Sequence, residues 1–319
     1  MVFDHETFRR GERLEIVVGG GKDGERLDSY LCSRFSHLSR AKMQRIIRSQ
    51  GVEVNGSLAK PSRRVYMNDL VAFDLPDKEL LAEHIPLEII YEDADIIVIN
   101  KQAGLLVHPA KGNSCGTILN GLAYYAADKF TPDIVHRLDR NTSGVLIVSK
   151  NADANTFLSN QFAERTTEKK YIAIVHGAVE QETGKIEEPI STNDCNEQYY
   201  VTDEGRYALT YYKRLAVSEC GKYSLLEVDI KTGRTHQIRV HLSHMRHPIV
   251  ADILYGGEPL RLPAENGDQI TLERCALHSY KLQVVHPASH EKIEFTAPLK
   301  PDMAIINKHL FDYHFGVLD

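Results

Sequence analysis

The run His136-Arg-Leu-Asp-Arg-Asn-Thr-Ser-Gly144 is polar apart from Leu138, yet it is entered from apolar Ile134-Val135 and left through the strand-like Val145-Leu-Ile-Val148. Such a pattern asks for a polar loop between two buried strands, and a rigid scaffold presenting a loop is a common setting for chemistry. Within the loop Asp139 stands between Arg137 and Arg140. A cation within a few ångströms keeps a carboxylate ionised at neutral pH, the state needed for nucleophilic attack or electrostatic work. The pattern also fits an exposed Arg-Asp-Arg loop with an ordinary surface ion pair, which is worth little. The segment alone leaves both readings open.

Lys231 to Leu242 concentrates donors: Lys231, Arg234, His236, Gln237, Arg239 and His241. A strand over Leu225 to Ile230 should end in a tight turn at Gly233, with Thr235 capping a helix that runs through His236 to about Met245. A helix start after a glycine turn is a natural anion site, so this segment is expected to face a phosphate or the Asp139 carboxylate. His241, His244 and His247 recur at helical spacing after His236, which raises zinc as a competing chemistry. No acidic ligand sits among them. Cys32, Cys115, Cys195, Cys220 and Cys275 form no Cys-x-x-Cys pair and no His-Glu-x-x-His is present, so no metal is expected.

A third segment, Lys169-Lys170-Tyr171-Ile-Ala-Ile-Val-His-Gly177, leads a basic pair into an alternating strand. Tyr171 is either a half-buried strand tyrosine, the commoner case, or a ring that stacks on a nucleobase with its hydroxyl near the chemistry.

In this order and spacing the three segments resemble the pseudouridine synthases of the RluA type. His136-Arg-Leu-Asp139 with Thr142-Ser-Gly144 matches the aspartate motif, Lys170-Tyr171 the tyrosine motif, and Gly233-Arg-Thr-His-Gln-Ile-Arg-Val-His241 the arginine motif. Asn100-Lys101, Ala103-Gly104-Leu105 and Val107-His108-Pro109 match an upstream strand and loop, with Gln102 where proline is common, and the likeness runs from about Leu87 to Met303. The resemblance implies a cofactor-free enzyme that isomerises uridine in RNA, with Asp139 catalytic, Tyr171 against the target base and Arg239 paired with Asp139. It implies that Arg137 enters the RNA stack, while Arg140 more plausibly meets phosphate; Arg234 and His236 join them as RNA-binding candidates. The aspartate would add to carbon six of the uracil or to the anomeric carbon of the ribose.

A net charge of −6 gives no global attraction to phosphate. Distribution matters more: between Arg26 and Leu75 nine Lys and Arg face four acids. There a helix over Leu27 to Phe35 is followed by a second over Arg40 to Ser49, with Ser39 as N-cap and Gly51 as stop. Met43, Ile46 and Ile47 form its buried stripe, leaving Arg40, Lys42, Arg45 and Arg48 for RNA, and Val52-Glu-Val-Asn-Gly56 gives a strand and a turn. The helix pair and hairpin resemble the small RNA-binding module named for ribosomal protein S-four.

The expected organisation is an extension over 1–24, the S-four-like module over 25–76, a linker over 77–86 and a catalytic domain over 87–319. Helices are expected over Ala152 to Ala163, strands over Leu87 to Tyr91, Ile96 to Asn100, Leu277 to Val285 and Lys292 to Thr296, and the loop Pro189 to Arg206 is either an RNA-contacting flap or an insertion. Strands joined more often by turns than by helices predict an α+β fold with a mixed, mainly antiparallel sheet and a central cleft. With 42% hydrophobic and 26% charged residues, no apolar run of membrane length, no signal-peptide pattern and unpatterned cysteines, a cytoplasmic monomer is expected, with RNA as partner and neither DNA nor membrane. The upstream loop looks most like that of enzymes acting on large-subunit ribosomal RNA. Transfer RNA is the alternative substrate, and an idle RNA-binding or ribosome-assembly factor and a histidine-bound metallohydrolase are the alternatives in kind.

Overall fold

The computed structural model describes residues 13–21, 23–35, 40–49, 51–74, 81–109, 115–127, 129–193, 198–263 and 268–315. The chain divides into two compact units, Met1–Glu79 and Leu80–Asp319.

The first unit contains β1 (Arg13–Val17), β2 (Glu25–Arg26), α1 (Leu27–Arg34), α2 (Arg40–Ser49), β3 (Glu53–Val54), β4 (Ser57–Leu58), β5 (Arg64–Val65) and β6 (Leu70–Asp74). A sheet in the order β1-β6-β3-β4 and a separate β2–β5 pair pack with α1 and α2 around Leu14, Ile16, Leu31, Met43, Ile47, Val54 and Phe73. The sequence pattern places Arg13–Val17 in an extension. Its alternate Leu14 and Ile16 are buried, however, and it pairs antiparallel with β6. Asn55 and Gly56, with φ of 54° and 75°, make the tight turn that joins β3 to β4, the left-handed pair that Asn-Gly tolerates. Ser39, the expected cap of α2, and the side chains of Lys42, Arg45 and Ile46 lie outside the described residues. Arg40 bends back to the buried Asp28 at 3.4 Å, so it props α1 against α2, while Arg48 is exposed.

The second unit contains β7 (Ile89–Glu92), β8 (Ile96–Lys101), α3 (Ile118–Ala126), β9 (Asp133–Ile134), β10 (Ser143–Ser149), α4 (Ala152–Glu164), β11 (Glu168–His176), β12 (Thr183–Ile186), β13 (Ile190–Asn193), β14 (Gln198–Val201), β15 (Thr210–Val217), β16 (Tyr223–Ile230), α5 (Gln237–His244), β17 (Leu260–Pro263), β18 (Gln269–Leu272), β19 (Leu277–Val285), β20 (Lys292–Thr296) and α6 (Pro301–Leu310). Its main sheet runs β12-β15-β16-β11-β19-β10-β8-β7, with β9 on β10 and β20 on β19. Every pairing in it is antiparallel except β10 with β19. The fold is therefore the mixed, mainly antiparallel α+β arrangement that the strand spacing predicts.

Residues of β8 and β10 are buried on both faces, which explains their unbroken apolar runs. Ile97, Ile99, Leu146 and Val148 enter one core, and Ile96, Val98, Val145 and Ile147 enter another that includes Leu158 of α4. Residues 81–86, expected to be linker, are tied to this unit. Asn120 of α3 donates to the Leu81 carbonyl at 2.8 Å, and the Glu83 carboxylate accepts from Gly116 N–H at 3.0 Å. Within the segment Pro189 to Arg206, β13 and β14 pair antiparallel, with Tyr199 against His236 and Tyr200 exposed; residues 194–197 lie outside the described residues. Among the described residues no helix is long and apolar enough to cross a membrane.

Candidate active site

The Asp139 loop is held from both ends and from beneath. At its exit Gly144 has φ of 113°, and a Cβ there would fall 2.1 Å from the Ser279 carbonyl oxygen, so the parallel join of β10 to β19 requires glycine. Beneath it Lys101, fully buried at the end of β8, donates from Nζ to the carbonyls of Gln102, Asp139, Arg140 and Thr142 at 3.0, 3.3, 3.1 and 2.9 Å. Burial pulls this lysine down to about 7, with the Asp139 charge opposing. At the loop's entrance the half-buried imidazole of His136 stacks on Phe162 and accepts from Ile147 N–H at 3.1 Å. Ser143 donates to Nδ1 of His278, whose Nε2–H is satisfied by the Ala297 carbonyl.

Asp139 opens onto a cleft of about 450 Å³ whose lining includes His136, Arg137, Arg165, Lys169, Tyr171, Arg234, His236 and Arg239. The cation that meets its carboxylate comes from one hundred residues further on: Arg239 on α5 approaches Asp139 Oδ2 at 3.4 Å. That guanidinium is itself anchored by Asp252, which accepts from Nε and a second nitrogen at 2.7 Å each and is 2% exposed. Tyr255, three residues after Asp252, places its ring 4.9 Å from the guanidinium carbon. Burial disfavours charge on Arg239, but the Asp252 carboxylate outweighs it and keeps the guanidinium firmly protonated. His236 lies 3.9 Å from Asp139 Oδ2 and 2.8 Å from the Tyr255 hydroxyl. Burial lowers its pKa against the pull of Asp139. Tyr171 is 8% exposed, and burial together with the Asp139 charge pushes its phenol well above the usual range, so it is a neutral ring.

The other expected residues divide. Arg137 is exposed and donates to Thr235 Oγ1 at 3.3 Å, which joins the aspartate loop to the arginine segment. Arg234 lines the cleft, whereas Arg140 is exposed and does not line it. Thr235 does not cap α5. The N-cap is His236, in the left-handed region with φ of 55°, and the Gln237 side-chain oxygen accepts from Arg234 N–H and the Thr232 hydroxyl instead. His241 hydrogen-bonds Thr210 and the Glu188 carbonyl, and His247 hydrogen-bonds the His176 carbonyl, so the helical histidines serve separate packing contacts. Asp252, Tyr255 and Phe162 were not foreseen. A lone acid in the apolar run Ile249-Val-Ala-Asp-Ile-Leu-Tyr255 was the available signal for the first.

A sheet that presents a loop carboxylate to a cationic cleft, in a chain whose first unit is separate and small, is an arrangement suited to chemistry on a polyanion. Residues 95–244 match the RNA pseudouridylate synthase family, and residues 25–71 match the S4 domain. The chain is 37% identical over 308 residues to an uncharacterised RNA pseudouridine synthase, YlyB, of Bacillus subtilis, covering 93% of this chain and 98% of that one. It is 39% identical over 305 residues to the ribosomal large subunit pseudouridine synthase D of Salmonella typhimurium, covering 91% and 92%. The structure of human RNA pseudouridylate synthase domain containing 1 aligns with a TM-score of 0.55 at 26% identity, over 68% of this chain and 86% of that one. This chain belongs to the RNA pseudouridylate synthase family. It is an isomerase that converts uridine to pseudouridine in RNA, as the motif resemblance implied.

Proposed function

We propose that this enzyme isomerises specific uridines of large-subunit ribosomal RNA, with Asp139 as the nucleophile and no cofactor. The observation that carries the reading is the Asp139 carboxylate in the cleft, 3.4 Å from an Arg239 that Asp252 anchors. A target base inside a helix must leave the stack to reach such a carboxylate, and the pocket must then hold it by stacking and edge hydrogen bonds. Tyr171, a buried neutral ring in the cleft lining, supplies the stacking surface. Arg137 at the exposed rim fills the place the base has left, and Arg140, Arg234 and His236 contact the strand.

An Asp139 oxygen forms a bond to carbon six of the uracil or to the anomeric carbon of the ribose. The glycosidic bond to nitrogen breaks, the base turns, carbon five bonds to the anomeric carbon, the bond to Asp139 breaks to return the free carboxylate, and the proton that carbon five loses balances the one nitrogen gains. The product is an isomer of the substrate, so the reaction needs neither oxidant nor reductant. Arg239 fixes the carboxylate and balances its charge while the bond forms.

Residues 25–76 act as a docking module and 87–319 as the catalytic domain of a cytoplasmic monomer. The ribosomal substrate is supported by the names of relatives such as that of Salmonella typhimurium. Pseudouridine mapping by carbodiimide labelling and primer extension, on ribosomal and transfer RNA from cells with and without the protein, tests the assignment. Large-subunit sites that vanish on deletion and return with wild type are expected; sites in transfer RNA would redirect the substrate, and an unchanged map would overturn it.

A further inference from the structure

One group in the cleft lining has no role in the reaction as proposed. Lys169 is only 9% exposed, and among the described residues its ammonium has neither a hydrogen bond nor a carboxylate within ion-pair distance. What lies over it is the Phe162 ring, with Nζ 5.8 Å from the centroid, and both residues line the cleft. Asp229, the carboxylate whose charge reaches Lys169, is engaged by Lys231 at 2.6 Å. Among the described residues four arginines share the lining; Arg137 donates to Thr235 and Arg239 to Asp252 and Asp139, which leaves Arg165 and Arg234. Arg165 sits at the left-handed C-cap of α4, φ 61°, and among the described residues Arg234 spends only Nε on a protein acceptor, the Tyr207 carbonyl at 3.0 Å.

A buried ammonium with no carboxylate within ion-pair distance, sharing its cleft with Arg165 and Arg234, gains from an anion that enters. Burial, with the neighbouring cations, pulls both Lys169 and Arg234 below their usual ranges, the mark of a site that gains from negative charge. Lys169 and Tyr171 fall on the same side of β11, two residues or about 7 Å apart. A base against Tyr171 therefore brings its own strand's backbone within reach of Lys169.

We propose that Lys169, Arg165 and Arg234 bind a backbone phosphodiester of the RNA strand that enters the cleft. The inference rests on the cleft being the site of uridine isomerisation, and it assigns the pull on the strand to Lys169 and Arg165 as well as to the arginine segment. A phosphate contact contributes affinity and register without reading sequence.

The test is binding of a short uridine-containing RNA oligonucleotide to the full-length protein across a salt series. One set of oligonucleotides carries a single neutral methylphosphonate linkage at successive positions. For wild type, one linkage near the target uridine is expected to weaken binding about ten-fold when neutralised. Lys169→Met should lose part of that factor on the unmodified RNA, respond less than wild type to neutralisation of that linkage, and show a salt slope shallower by about 0.7, one single-strand phosphate. Exposed Lys292 supplies the control, Lys292→Met, for loss of charge alone. A wild-type profile flat across all linkages, or a Lys169→Met salt slope equal to wild type, would overturn the phosphate site. If Lys169→Met fails to fold, the wild-type linkage scan decides alone. Pseudouridine formed by wild type on the same RNA is read separately, so failure of the isomerase assignment and failure of the phosphate site are distinct results.

Discussion

Two carboxylates compete for one guanidinium at the centre of the cleft, and their roles differ by exposure. Asp252, 2% exposed, holds Arg239 through two short hydrogen bonds, while Asp139, with its side chain 27% exposed, receives a longer one at 3.4 Å. Asp139→Asn removes the attacking oxygen while keeping the shape, so turnover should vanish with the fold and RNA affinity intact; a pseudouridine assay on purified protein that still shows product would sink the mechanism. Asp252→Asn should act through Arg239. The prediction is a fall in kcat of about ten-fold with RNA Kd unchanged, measured by single-turnover rates alongside a binding isotherm. Equal losses in Kd and kcat would instead mean that Asp252 only maintains the fold.

At the scale of elements, the seam between β10 and β19 carries the loop. The two strands meet in parallel at Ser143↔His278 and Gly144↔Ser279, immediately after the aspartate segment, and the Lys101 ammonium at the end of β8 gathers the loop's carbonyls from below. Gly144→Ala puts a methyl into the Ser279 backbone at a φ of 113°. It should cost about 2–4 kcal/mol by urea unfolding and lower activity more than stability alone explains. An unfolding midpoint equal to wild type would show that the seam can open. Much of this level was legible beforehand. The Asn55-Gly56 turn, the helix opening at Ala152 and the strand over Leu277 to Val285 follow from short-range patterns, because turn chemistry and apolar period act over a few residues. The start of α5 was misread, since Thr235 looks like a cap until Gln237 is seen to fold back over the turn. The opening strand Arg13–Val17 was missed because its partner β6 lies far along the chain.

For the whole molecule, the two units have separate cores, and each bears on a separate measurement. Because residues 81–86 pack on the catalytic unit, removal of the first 79 residues should spare chemistry on a short RNA while weakening binding in a salt-dependent way. Complete loss of chemistry in that truncation would contradict the division of labour. Acid should unfold the second unit early. His136 and His278, depressed from 6.5 to about 3 and about 4 by burial, stay neutral in the fold while the unfolded chain takes up protons. Their contribution is present above about pH 6.5 and is lost as pH falls toward the folded values, on the order of 5 kcal/mol for His136 and about 3 kcal/mol for His278 at the acid end. Urea unfolding of wild type at pH 7 and 4.5 should show this drop, and a His136→Gln, His278→Gln variant should show a shallower one; equal slopes would place the acid sensitivity elsewhere.

By itself the amino-acid sequence determined the polar loop around Asp139 between two apolar runs, the basic helix pair in the first unit and several individual strands, because each of these is written in neighbouring residues. Tertiary structure alone decided which cation Asp139 meets. Arg137 and Arg140 flank it in the chain, but Arg137 turns to Thr235 and Arg239 arrives from a helix one hundred residues later, held there by Asp252. The fold likewise left Lys169 buried with no carboxylate within ion-pair distance among the described residues and gave Lys101 a set of carbonyls to bind. Sequence distance says nothing of such meetings, since they are set by how a long, mainly antiparallel sheet closes and by which charges burial strips of water.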